Sequence, residues 1–175
     1  FDKAIVFSLD GGGNDFDGIT TTKSFLADDT GITDLQKYYL NLGGAYGDIG
    51  SPISEIKPGP DCDKHSLVYA GKVMGLCAYG NIREDWLAAF REYYCGHSAN
   101  LQELGSKIGL DLSVNNLSGQ DSYDLAATSQ SVFEEVAFNI MIPVVEKYNI
   151  DVVLVGGCAL NVLFNQKLYE YLDKK

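Results

Sequence analysis

Two short apolar runs that each stop on a pair of glycines constrain this sequence most. The first, Ala4-Ile5-Val6-Phe7-Ser8-Leu9, ends at Asp10-Gly11-Gly12-Gly13. The second, Val152-Val153-Leu154-Val155, ends at Gly156-Gly157. Both are too short for a helix and rich in β-branched or aromatic side chains, so both read as strands. A strand that runs straight into glycine marks a tight corner where backbone approaches something closely. The unbroken Val-Val-Leu-Val run has the pattern of a strand buried on both faces.

The elements between the corners follow from periodicity. Residues 16–25 resume strand character after Asn14-Asp15, so residues 4–25 read as a β-hairpin with a glycine-rich bend. A third strand is expected near residues 31–38. Residues 40–60 hold Gly43, Gly44, Gly47, Gly50, Pro52, Pro58 and Pro60, which reads as loop or short helix broken by turns. A short helix is expected over residues 65–79, ended by Gly80. Residues 83–95 fit an amphipathic helix through Trp86, Leu87, Phe90 and Tyr94. Residues 98–122 show little periodicity. The clearest helix spans about 124–148, with Asp124 as its N-cap or first-turn acid and Pro143 predicting a kink or break. A final helix is expected over residues 159–172. Strands followed by helices, then a strand and a helix, make an α/β domain with a mixed sheet and flanking helices, one unit over residues 1–175.

Each corner has a chemical reading. Gly11 and Gly12 let backbone N–H groups approach an anion with no Cβ in the way. Asp10 beside them could hold a divalent cation that bridges phosphate oxygens. Gly156, Gly157 and Asn161 lie where a strand turns into a helix, a position that offers N–H groups to a nucleotide. Plainer readings compete. Asp-Gly is a common hairpin turn, a strand-Gly-Gly-helix joint can be packing alone, and Asn161 can cap the last helix. Lys72 could pair with a phosphate or simply be solvated. Cys158, inside the second corner, is tempting as a nucleophile but reads better as a small apolar filler. The two corners together are the arrangement of an actin-like ATPase half-domain, with one phosphate loop after its first strand and an adenosine loop near its end.

Charge and cysteine usage exclude several functions. Lys plus Arg number 13 and Asp plus Glu 24, a formal charge of −11. Such a surface repels phosphate backbones, and the longest basic run is Lys174-Lys175, so no nucleic-acid stripe shows. Cys62, Cys77, Cys95 and Cys158 form no CxxC pair, which points to a reducing, cytoplasmic setting. No run reaches the ~18 apolar residues of a membrane span. The sequence opens on Phe1-Asp2 without an initiating Met, as an excised piece of a longer chain would.

Four stretches resemble the carbamoyltransferase family of nodulation-type and antibiotic O-carbamoyltransferases. They are SLDGGG (8–13), GKVMGLCAYG (71–80), DLAATSQSVFEEV (124–136) and LVGGCALNVLFNQKL (154–168). The most specific is GGxALNxxxN, met by Gly156, Gly157, Ala159, Leu160, Asn161 and Asn165; next is KxMGLxxYG, from Lys72 to Gly80. The resemblance implies the second lobe of an actin-like, RNase H-like, ATP-binding fold. It implies ATP and carbamoyl phosphate as substrates, a carbamoyl-adenylate, and transfer of carbamoyl to a hydroxyl of a small acceptor. It also implies a divalent ion, ferrous or magnesium, with Asp10 among its ligands, and the nucleotide at Gly156, Gly157 and Asn161.

The sequence departs from that family in one respect that matters. The histidines are His65 and His97, with no HxxxH, so the metal site is expected to be incomplete. In family members that motif lies in a first lobe, and a further aspartate and a C-terminal domain lie beyond the GGxALN loop. The chain is therefore expected to be a piece that folds without catalysing the reaction alone. A face separated from its partner lobe favours self-association, a homodimer among the outcomes. Two alternatives remain open. One is a protein like the tRNA threonylcarbamoyl transferases, which share the DLAAT helix. The other is a non-catalytic nucleotide-binding or interaction lobe. A sugar-kinase-like phosphotransferase is a weaker variant.

Overall fold

Alternation along the first strand decides how the sheet faces its core. In β1 (Lys3–Leu9) the side chains of Ile5, Phe7 and Leu9 are fully buried on one face. Each contributes about 1.5–3 kcal/mol by leaving water. The structure is a computed structural model that describes residues 2–12, 14–15, 18–19, 22–56, 68–96 and 100–174. Gly13, Cys62, His65 and His97 lie outside the described residues.

The remaining strands are β2 (Asn14–Asp15), β3 (Gly18–Ile19), β4 (Thr22–Asp28), β5 (Gly31–Tyr38) and β6 (Asp151–Val155). β1, β4 and β5 form an antiparallel meander, and β6 joins β1 in parallel. The order is β5-β4-β1-β6, a mixed four-stranded sheet. β2 pairs with β3. Opposite Ser24 and Phe25 of β4 the register shifts, and Leu35 of β5 is the extra residue of a bulge. The meander and third strand appear as expected. β6 differs from expectation: Val152, Val153 and Leu154 are only half-buried. A strand at the sheet edge, with a neighbour on one side only, cannot be enclosed as a central strand is.

A parallel neighbour requires a crossover, and among the described residues this one holds five α-helices. These are α1 (Leu42–Asp48), α2 (Val68–Leu76), α3 (Leu87–Cys95), α4 (Leu101–Ile108) and α5 (Gln120–Tyr148); α6 (Val162–Asp173) follows β6. α5 is the spine. Its Leu125, Ala126, Val132, Phe133, Val136, Ala137 and Met141 are buried. The Phe133 ring centroid lies 5.1 Å from Tyr46, 6.4 Å from Tyr94 and 5.8 Å from Phe164, which ties α1, α3 and α6 to it.

Three helical expectations need correcting. α5 begins at Gln120, so Asp124 sits inside the helix and is not its cap. Its buried Oδ1 accepts instead from the Asn81 N–H at 2.7 Å and from Gln120 Nε2 at 2.6 Å. Of the kink or break expected at Pro143, the break does not occur: α5 runs on to Tyr148 as one element. α4 was not expected in residues 98–122, yet it is well capped. The Asn100 side chain accepts from the N–H groups of Gln102 and Glu103, and Gly109 closes it with φ +74°. Among the described residues, no helix is long and apolar enough to cross a membrane.

Candidate functional site

β1 and β6 run parallel, so their carboxyl ends, and the glycine corners that follow, come out side by side. Open α/β sheets bind ligands at that end of their strands. The contact between the corners is close. At Gly156, φ is +91°, and a Cβ there would fall 2.4 Å from the Leu9 carbonyl oxygen. A Cβ on Gly157 would fall 3.1 Å from Asp10 Oδ1. Only glycine satisfies both demands at residue 156. Asp10 Oδ1 also accepts from the Gly11 N–H at 2.7 Å, which holds the carboxylate against its own corner.

α1 closes the third side. Its Gly43 N–H donates to the Asp10 carbonyl at 3.3 Å, and the Asn41 side chain caps the helix by accepting from the Gly44 N–H at 2.9 Å. Together the two corners, α1 and α2 enclose a cavity of about 580 Å3. Its wall is sorted by chemistry. Asp10, Asn41, Asp48 and Asn161 are polar; Tyr46, Met74, Phe133 and Leu160 are apolar. Gly12, Gly47 and Gly71 are bare backbone, and a Cβ on any of them would meet no atom within 4 Å. The side chains missing there are what leave the room.

Behind the polar edge lies a buried network. Asn161 Oδ1 accepts from the Phe164 N–H at 3.0 Å, so this residue does cap α6. The same side chain exchanges two hydrogen bonds with Gln130 of α5, at 3.1 and 3.0 Å. Gln130 is held in turn by the Tyr46 hydroxyl, which donates at 2.6 Å, and by Glu134 Oε1, which accepts at 2.8 Å. Lys167 of α6 pairs with Glu134 Oε2. Burial, with Tyr94 nearby, pushes the Tyr46 phenol far above its ordinary range, so it stays a donor. Burial, and then the charge of Asp10, push the Cys158 thiol up to about 12.

The structure thus brings Asp10, Gly11, Gly12, Gly157 and Asn161 to one cavity, with Gly156 forming the corner behind. It does not bring Lys72 there: that side chain is exposed on α2, next to the lining residue Gly71. A 3-10 turn, Gly157–Leu160, stands between the second corner and α6, so the corner does not open directly into a helix start. Among the described residues, no group of three or more His, Cys, Asp and Glu side chains could hold a metal ion. Sequence reasoning missed Asn41, Tyr46, Asp48, Gln130 and Glu134. The available signal was Gln130 and Glu134 themselves, an amide and an acid four apart on the helix face that also carries Phe133.

Comparisons with known proteins agree with this arrangement. Residues 1–172 match the family model described as carbamoyltransferase N-terminus. The chain is 25% identical over 173 residues to nodulation protein U of Rhizobium tropici, covering 87% of this chain and 30% of that protein. It is 31% identical over 188 residues to an uncharacterized protein of Methanocaldococcus jannaschii, covering 97% and 33% respectively. The chain spans about a third of the length of these relatives. With a family match over residues 1–172, nearly its whole length, this chain belongs to the carbamoyltransferase family and matches the N-terminal region of its members.

Proposed function

We propose that this chain is the ATP-binding lobe of an O-carbamoyltransferase, built on an actin-like half-domain. The observation that carries the reading is the cavity framed by Asp10-Gly11-Gly12 on one strand end and Gly157 on its parallel neighbour. Glycine backbone in the wall suits phosphates, and the apolar wall of Tyr46, Met74, Phe133 and Leu160 suits a flat base.

Asp10 and Asp48 in the wall would repel a bare triphosphate. An anionic nucleotide therefore enters with its cation. The donor set fits Mg2+, which takes one or two carboxylates and completes its shell with phosphate and water. A ferrous ion held by imidazoles finds no described histidine at this cavity.

In this reading carbamoyl phosphate loses phosphate to water and leaves carbamate. A carbamate oxygen attacks the α-phosphorus of ATP, and pyrophosphate departs. The acceptor hydroxyl then attacks the carbamoyl carbon and AMP departs. The chain's own residues position the nucleotide and exclude water, which is where most of the acceleration in such transfers originates. The formal charge of −11 weighs against a tRNA substrate.

The test follows pyrophosphate release by the full-length protein from MgATP, with and without carbamoyl phosphate, for wild type and Asp10→Asn. Release that requires carbamoyl phosphate and falls in the variant supports the reading. ADP formation indifferent to carbamoyl phosphate overturns it in favour of a kinase-like role, and no turnover at all favours a non-catalytic lobe.

A further inference from the structure

β6 is built like an inner strand but sits at an edge. Val152, Val153, Leu154 and Val155 are apolar without interruption, the pattern of a strand enclosed on both faces. Yet β6 ends the order β5-β4-β1-β6 and has β1 alone as a neighbour among the described residues. Val152 and Leu154 pack against the core, whereas Val155 is 41% exposed.

The two edges of the sheet differ in kind. A free edge is a template for another strand, and edges that stay free are blunted by charge or by a bulge. β5 carries both: Asp34 and Lys37 lie on it, and Leu35 is its bulge. β6 carries neither beyond Asp151, and its five-residue register with β1 is regular. α6 repeats the contrast. Phe164 and Tyr171 meet Phe138 of α5. Val162 and Tyr169, seven residues apart, share the opposite side of the helix and are 60% and 63% exposed.

We propose that in the full-length protein the stretch following α6 returns as a further strand, parallel to β6 and paired with its free edge. β6, α6 and that strand then make one right-handed β-α-β crossover, the hand such units take in nearly every case. The strand lies under the uncovered side of α6, buries Val162 and Tyr169, and ends beside the second glycine corner. Chain is available to fill the place: the relatives are about three times as long, and the matched model is that of the family's N-terminus. Charge disfavours a second copy at this edge, because it would bring together two chains of formal charge −11. The pairing is independent of what the cavity binds.

The test is residue-resolved hydrogen exchange on the full-length protein. Every second N–H of β6 points away from β1. Those groups should exchange about a thousandfold more slowly than in unstructured chain, as the inward ones do, with the outer N–H groups of β5 as the free-edge reference. Free exchange of the outward β6 groups overturns the proposal. Photo-crosslinking identifies the neighbour. With p-benzoylphenylalanine in place of the exposed Tyr169, illumination should join that position to residues beyond α6 of the same chain, which peptide mass mapping locates. A link between two chains assigns the edge to a second copy. Links confined to residues before α6, or none, leave the edge uncovered. Either result overturns the proposal.

Discussion

Gly43 lies flush against Gly11: a Cβ on Gly43 would fall 2.4 Å from the Gly11 nitrogen, and one on Gly11 would fall 2.8 Å from the Gly44 nitrogen. Every atom in that contact is backbone, so no flexible side chain can yield. The pair presses α1 onto the first corner and sets one wall of the cavity. Gly43→Ala should therefore cost about 1–3 kcal/mol of stability, the usual scale of overpacking. Urea unfolding measures it, and MgATP affinity should fall in parallel. An unchanged midpoint would mean that α1 does not dock as described.

Gly47 lies in the same helix and behaves oppositely. A Cβ there meets nothing within 4 Å and enters the cavity. Inside a helix, alanine is favoured over glycine by about 0.5–1 kcal/mol. Gly47→Ala should hold or raise the thermal midpoint while weakening MgATP binding. Calorimetry and a melting curve on one sample separate the two effects. Unchanged affinity would place the ligand away from α1.

The uneven legibility of this fold has physical causes. β1, β5 and the corners could be read because their signals are local: a short apolar run, then glycine. The start of α5 was misplaced because its cap is not local. Gly119 has no side chain to offer, and the Gly119 N–H is bound instead by Glu55 Oε1 at 2.7 Å, from a residue 64 positions earlier. α4 is legible in hindsight, since Leu101, Leu104 and Ile108 keep helical spacing between Asn100 and Gly109, but eight residues hold that spacing for little more than two turns inside a long polar stretch. At the site, Gly43 and Gly44 read as loop because their role depends on Gly11, a contact that only the folded chain makes. For Lys72 the sequence leaves phosphate pairing and solvation open, because charge does not say which way a helix turns its side chain.

Glu55 leads to a pH prediction. Partial burial works against its charge, but hydrogen bonds from the Gly119 N–H and the Ser122 hydroxyl outweigh that and hold its carboxyl below the usual range. A depressed carboxyl contributes stability that is present above its unfolded value and is lost as pH falls through the folded one. Glu55→Gln should thus cost about 1 kcal/mol at neutral pH, the scale of a lost helix cap. The gap between wild type and variant should close below about pH 4. A gap independent of pH would show that the carboxylate charge contributes nothing to the cap.

Gly80 and Asp124 lock the second family motif to α5. A Cβ on Gly80 would fall 2.0 Å from the Tyr123 carbonyl oxygen, and the next N–H, of Asn81, donates to Asp124. Asp124→Ala leaves that N–H without its acceptor in a part-buried position, a cost of about 1–3 kcal/mol. Gly80→Ala forces backbone apart and should be the worse of the two. Chemical denaturation ranks them, and equal, small effects would deny the lock.

Cys158 faces the cavity between the second corner and α6, yet it is poorly suited to attack anything. Its thiol, pushed up to about 12, is 7% exposed. At pH 7 that leaves on the order of one thiolate in 10^5, and the thiolate is the nucleophile. Burial is the larger cause, and the charge of the Asp10 carboxylate adds to it. Cys95, by contrast, is exposed at the end of α3. Iodoacetamide at neutral pH should label Cys95 before Cys158, which reacts only as the protein unfolds, and peptide mass mapping resolves the two over time. Cys158→Ala should retain carbamoyl-phosphate-dependent pyrophosphate release within about twofold, since it removes little more than one buried sulfur. Rapid labelling of Cys158 in the folded protein, with loss of release in the alanine variant, would instead give the thiol a covalent role.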